Sequence, residues 1–300
     1  MRYVLLAALG ALALATATFT WPASETSPDA QDALAHATPE ARTAFERLSK
    51  AAGDGAPITS FRLQADVLTR SGVQTNEMQV EYRYLAPDCI RFMLPSRNET
   101  GRFGPAPEQY WLKSSADVVV LAGREYKEDR RLVDDMAVLA RNYTALSSPG
   151  RLRLTALELL PAAPADLGPE LTKKTRKLTW LALTSPDFAL VRRDGQADAP
   201  GGATGEPRLF RVEVGLGEDA LPAVAVIREV GKGGDPLLVE FGQYKERAQR
   251  RIPLQLRVHV LDRALEPDAF APAPSQEIYV TEAELEAKLT VEDFKPAKKP

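Results

Sequence analysis

Long stretches of strict apolar–polar alternation constrain this chain more than any other feature. Phe61, Leu63, Ala65 and Val67 alternate with Arg62, Gln64 and Asp66. After a turn at Ser71-Gly72, Met78, Val80, Tyr82 and Tyr84 alternate with Gln79, Glu81 and Arg83. Beyond Pro87-Asp88 come Ile90, Phe92 and Leu94, and late in the chain Leu254, Leu256, Val258 and Val260 alternate with Gln255, Arg257 and His259. Side chains in a strand repeat every two residues, so each apolar set shares one side. The pattern predicts an antiparallel sheet with one face buried and the other in water.

Shorter apolar runs extend that sheet. Gln109 to Leu112 and Val118 to Leu121 read as strands, as do Leu152 to Leu160, Leu178 to Leu183, Leu190 to Arg193, Phe210 to Val214, Ala223 to Val230 and Leu237 to Tyr244. With 23 Pro and 19 Gly the chain is punctuated for short strands. About ten or eleven strands suffice for an open, twisted antiparallel β-barrel, a half-barrel with an apolar concave face.

Two segments switch to helical spacing. Thr38-Pro39-Glu40 supplies a hydroxyl cap, a proline at the first helical position and an acid in the first turn. Ala41, Ala44, Phe45, Leu48 and Ala52 follow at three- and four-residue spacing, and Gly53 ends the helix. The second helix, Leu132 to Leu146, is closed by Pro149-Gly150. These helices are the available covers for the concave face. Its predicted lining is Phe61, Leu63, Met78, Val80, Tyr82, Tyr84, Ile90, Phe92 and Trp111, with Leu132, Met136, Leu139 and Tyr143 as the lid. Permanent packing would make this a plain core; loose packing would leave a cavity for acyl chains or another apolar ligand.

The N-terminus has the form of an export signal. Met1-Arg2 precedes the charge-free run Tyr3 to Ala17, and Ala15 and Ala17 are placed for cleavage after residue 17. The expected layout is a signal peptide over 1–17, a flexible leader over 18–38 and a single β-domain over 39–294. Long insertion loops are expected around 161–176 and 195–207, with a disordered tail over 295–300. The expected location is periplasmic or extracellular, with an uncleaved membrane anchor as the alternative, because no charge follows until Glu25.

Composition narrows the function classes. Lys plus Arg number 38 and Asp plus Glu 41, a net charge of -3, which lacks the basic footprint of a nucleic-acid binder. Cys89 is the single cysteine, so neither an intramolecular disulfide nor a cysteine-based zinc site is expected. His36 and His259 are the only histidines; the first lies in the leader, the second at an outward strand position expected to be solvated. No nucleophile elbow, zinc-binding histidine pair or phosphate loop is present, so no catalytic residue and no cofactor are expected. Glu125, Glu128 and Asp129 lie among Arg124, Lys127, Arg130 and Arg131, the look of a self-paired surface. The basic run Lys173-Lys174-Thr175-Arg176-Lys177 reads as a loop or strand edge, or as a contact for anionic lipid headgroups or a protein partner.

Taken together, the segment Met78 to Phe92 (MQVEYRYLAPDCIRF) resembles the LolA/LolB-like superfamily of periplasmic lipoprotein carriers, which includes the RseB-type sensor domain. Ser60-Phe61 opening a long strand, Tyr110-Trp111-Leu112, Leu121 to Tyr126 and the late Ala269-Phe270-Ala271-Pro272-Ala273-Pro274 fit the same pattern. The similarity is clearest over Thr59 to Arg131. It implies a helix-lidded half-barrel and a non-catalytic protein binding lipid or lipoprotein acyl chains. The alternative is an envelope sensor or interaction module whose core fills itself, with a membrane surface or envelope protein as partner. Two departures stand out. Ala86 occupies the place of an arginine that latches the carriers' lid, so that contact does not transfer. Extra length also falls between Leu160 and Pro207.

Overall fold

A computed structural model describes residues 28–53, 58–71, 74–85, 89–93, 108–112, 118–121, 138, 141–190, 208–231, 235–262 and 269–294. The described residues open with helices α1 (Pro28–His36) and α2 (Pro39–Ala52). A first run of strands follows: β1 (Ser60–Ser71), β2 (Gln74–Leu85), β3 (Cys89–Met93), β4 (Glu108–Leu112) and β5 (Val118–Leu121). After α3, helical over 141–146, come β6 (Ala156–Leu160), α4 (Gly168–Thr175), β7 (Thr179–Ser185), β8 (Phe210–Leu216) and β9 (Pro222–Glu229). The chain continues through β10 (Leu237–Arg247), β11 (Arg250–His259), the short β12 (Leu261–Asp262) and β13 (Ala269–Phe270), and β14 (Gln276–Leu285).

Twelve of these strands form one open sheet in the order β5-β4-β3-β2-β1-β14-β11-β10-β9-β8-β7-β6, while β12 and β13 pair as a separate ribbon. The fold is mainly β and antiparallel, as the alternation required. Two meanders, β1–β5 and β6–β11, do not touch through adjacent strands of their own. The late strand β14 lies between them, pairing Ile278 with Val67 of β1 and with Leu256 of β11.

The helices cover one face unevenly. Thr38 caps α2 by accepting from the Ala41 N–H, and Ala41, Phe45, Leu48 and Ala52 form its buried stripe. That stripe, with Ala33 and Ala37 around α1, packs on Leu157, Leu181, Leu183, Val212, Val214, Ala225 and Ile227. Both helices therefore lie over β6–β9. Gly53 ends α2 at φ 108°, where an added Cβ would lie 2.6 Å from the Gln249 carbonyl oxygen, so only glycine fits.

Several sequence expectations change. Residues 28–36, which fall within the expected flexible leader, form α1; Ala33 is buried against the sheet, enough apolar contact to order a short helix. The stretch 161–176 is not an open loop. A single 3-10 turn, Ala165–Leu167, leads into α4, and Leu167 and Leu171, one helical turn apart, seal the opposite sheet face over Trp180, Val224, Val226 and Leu238, together with Phe270. Most of the basic run therefore sits at the C-terminal end of α4, where cations offset the helix dipole. Of the predicted strand Leu190 to Arg193 only Leu190 is described, outside any strand, and just before it the Asn142 side chain bonds both the N–H and the carbonyl of Ala189. The acids Glu125, Glu128 and Asp129, the loop 195–207, the tail 295–300, the signal region and Ala86 lie outside the described residues.

His259 is the clearest correction. It does fall on the outward phase of β11, yet it is fully buried, because the ribbon β12–β13 and the chain after it cover that phase. Within the second meander both faces are covered over β7, β8 and β9, where Thr179 is the only exposed residue.

Candidate apolar cleft

The paired strands β1 and β2 keep one covered and one wetter face. Phe61, Leu63, Ala65 and Val67 of β1 point to the same side as Val80, Tyr82 and Tyr84 of β2, and the register sets Phe61 opposite Tyr84, Leu63 opposite Tyr82 and Ala65 opposite Val80. The other phase carries charge and amide groups. Glu81 accepts from both Arg62 and Arg83, and these guanidiniums hold its carboxyl below the usual range against the opposing effect of burial. Gln79 is exposed.

On the apolar side the rings lock together. Phe61 stacks on Tyr82 at 5.7 Å and on Tyr84 at 5.1 Å between ring centres, and Tyr143 of α3 meets it edge-on at 6.0 Å. Leu254 and Leu256 of β11 and Val280 of β14 join the cluster. Among the described residues Tyr143 is the only helical side chain in it, since α1 and α2 stand over the other half of the sheet.

The consequence is a cleft between β1, β2, β11, β14 and Tyr143, with Leu63, Val67, Tyr82, Leu256 and Ile278 among its walls. Its volume is about 60 Å³, small beside an apolar cavity of about 150 Å³ that takes up a benzene-sized guest. Burial alone pushes the Tyr143 phenol well above its ordinary pKa. Burial does the same for Tyr82, with Tyr84 adding to it. Both therefore remain neutral phenols at any physiological pH.

Of the predicted lining, the structure brings Phe61, Leu63, Val80 and Tyr82 to the cleft with Tyr143 of the predicted lid, and Tyr84 lies beside them on the same face. Met78 pairs with Val67, Phe92 with Tyr82, Ile90 with Tyr84 and Trp111 with Ile90; their strand positions are described, their side chains are not. Leu132, Met136 and Leu139 lie outside the described residues. Ala65, Val67 and Leu256 also line the cleft although the predicted lining omits them, and Ile278 and Val280 belong to a strand that the sequence reading does not include. Their alternation with Tyr279 and Thr281 is a usable strand signal, diluted by the glutamates that follow.

Several charged groups elsewhere are tied into the scaffold. Arg228 forks onto Asp166 and also reaches Glu213, Arg208 forks onto Glu229, and Glu277 accepts from Arg70, Arg257 and Tyr279. Among the described residues no three His, Cys, Asp or Glu side chains converge as a metal site would require. No described helix is long and apolar enough to cross a membrane.

No protein-family model and no curated protein matches the chain. Solved structures do. A domain assigned to outer membrane lipoprotein sorting, from Vibrio parahaemolyticus, is 10% identical with a TM-score of 0.42, over 85% of this chain and 97% of that one. A LolA superfamily protein from Nitrosomonas europaea is 10% identical with a TM-score of 0.41, over 85% and 97%. MucB is 11% identical with a TM-score of 0.30, over 87% of this chain and 64% of that one. Over most of its length the chain is thus similar to solved proteins of the LolA superfamily and to MucB.

Proposed function

We propose that this chain is a non-catalytic binding protein, working outside the cytoplasm, that takes the acyl chain of a lipid or lipoprotein into the cleft beside Tyr143. One observation carries the reading. Half of the sheet's apolar face lies away from the helices that cover the other half, and the described cover there is a single tyrosine. Burying each methylene contributes about 0.8 kcal/mol, so an acyl chain needs no polar chemistry to bind. The resemblance of residues 59–131 to lipoprotein carriers supports the same reading, as does the exportable run Tyr3 to Ala17.

The volume of about 60 Å³ favours a second reading, an interaction or sensor module whose core is filled by its own side chains. Titration of the delipidated protein with a fluorescent fatty acid separates the two. The carrier reading expects saturable binding near one equivalent, and acyl lipids in the mass spectrum of protein purified without delipidation. Absence of both overturns it in favour of the self-filled module. N-terminal sequencing of the exported product is expected to begin near Thr18; a product retaining Met1 and sedimenting with membranes would replace export with anchoring.

A further inference from the structure

The cations of this chain divide by type. Among the described residues the ion pairs are made by arginines, such as Arg228 with Asp166 and Arg153 with Asp187, and by His259 with Glu240. No described lysine takes part in one. A planar guanidinium suits fixed pairing, whereas an ammonium on a flexible stem is a hydrated point charge. Lys173 and Lys174 lie in the last turn of α4, and Arg176 and Lys177 follow in the turn that the Leu178 N–H closes on the Thr175 carbonyl. All four are exposed, while Leu171 and Thr175, one turn apart, are buried. The four charges therefore project together into solvent, on the sheet face opposite α1, α2 and the cleft.

Such a patch has a preferred kind of partner. The chain as a whole carries a net charge of -3, so an anionic surface repels it except where its cations are gathered. Protein interfaces deplete lysine and anchor on aromatic side chains, and Trp180 beneath α4 is buried. A field of exposed lysines suits instead a surface of many equivalent anions. We propose that the C-terminal end of α4, with Lys173, Lys174, Arg176 and Lys177, is a docking surface for an anionic phospholipid bilayer. Docking there leaves the cleft, on the other face of the sheet, unobstructed. The inference goes beyond the acyl-binding reading and does not depend on it, since a self-filled module would dock in the same way.

The test is co-sedimentation of the full-length mature protein with vesicles of phosphatidylcholine alone and of phosphatidylcholine mixed with phosphatidylglycerol. Wild type is expected to bind the mixed vesicles only, and to lose that binding as salt is raised. The combined variant Lys173→Gln, Arg176→Gln and Lys177→Gln keeps Lys174, whose charge acts on Glu240. It is expected to weaken binding about a hundredfold, some fivefold for each charge removed, with the thermal midpoint and fatty-acid titration of wild type. If the combined variant misfolds, the single substitutions take its place, each expected to weaken binding about fivefold. The tail lysines Lys295, Lys298 and Lys299 supply the control: changing all three to Gln should leave binding within about twofold, because the docking charge resides on α4. Equal binding to both vesicle types would overturn the proposal. So would unchanged binding by the folded α4 variants, or an equal loss in the tail variant. If wild type binds neither vesicle, the bilayer is the wrong partner, and an acidic protein surface takes its place.

Discussion

Both ring nitrogens of His259 face acceptors: Nδ1 lies 2.9 Å from the Ala271 carbonyl oxygen and Nε2 lies 2.7 Å from a carboxylate oxygen of Glu240. The hydrogen bond from His259 holds the Glu240 carboxyl below its usual 4.5; His259, Lys174 and Arg257 add their charges in the same direction, and burial opposes them. A carboxyl whose pKa is lower folded than unfolded stabilises the protein above the unfolded value and loses that contribution as pH falls through the folded one. Urea midpoints of wild type should therefore fall below pH 4.5. Glu240→Gln should be less stable by about 1–3 kcal/mol near neutrality and show a shallower acid dependence. Inward and outward phase can be checked at neighbouring positions. Val80→Asp places an uncompensated charge in the ring cluster and should cost roughly 3–5 kcal/mol, whereas Gln79→Asp, on the wet face, should stay within about 0.5 kcal/mol. Equal chemical-denaturation curves for the two would show the phase to be reversed. Period two makes this assignment readable from sequence at Phe61, Leu63, Val80 and Tyr82. It failed for His259 because periodicity reports which face a side chain is on, and another segment decides whether that face is wet.

Elements were legible where their own residues determine them. Thr38, Pro39 and Gly53 mark the ends of α2, and its stripe of Ala41, Phe45, Leu48 and Ala52 needs no neighbour to be recognised. Helix α4 hid for the opposite reason. Only Leu171 and Thr175 of its eight residues are buried, so its lysines dominate the sequence impression. The turn joining β10 to β11 was also obscure. Arg247 pairs with Arg250, leaving Ala248 and Gln249 as a two-residue turn with φ of 45° and 61°, a conformation usually marked by Asn-Gly. Alanine and glutamine hold it at a steric cost of about 1–2 kcal/mol each. Both are exposed, so Ala248→Asn combined with Gln249→Gly should raise the thermal midpoint by several degrees and leave ligand binding unaltered. A lowered midpoint would mean that the tight fit around the Gln249 carbonyl at Gly53 depends on the present backbone.

At the scale of the molecule, the open antiparallel sheet could be read from alternation alone, but the order of its strands could not. That order depends on β14, whose partners are remote in sequence: Phe61 faces Leu285, and Arg70 pairs with Glu277 across 207 positions. A chain ending at Ser275 should lose the cooperative unfolding transition, because β1 and β11 would each be left as an edge and the cleft would lose Ile278 and Val280. A single sharp transition in that truncated chain, with the wild-type urea dependence, would show that the two meanders join without their stitch. The placement of β14 also has a price in time. As the polypeptide emerges amino end first, β1 and β2 can pair at once, yet the other flank of β1 keeps its bare N–H and C=O groups until about two hundred further residues have appeared. Throughout that interval the nascent chain carries a sticky ribbon whose rightful mate is not yet made, open to adoption by a neighbouring copy. A circular permutant that begins with residues 276–285 would present β1 and its mate together from the outset, and should aggregate less during refolding than the natural order does.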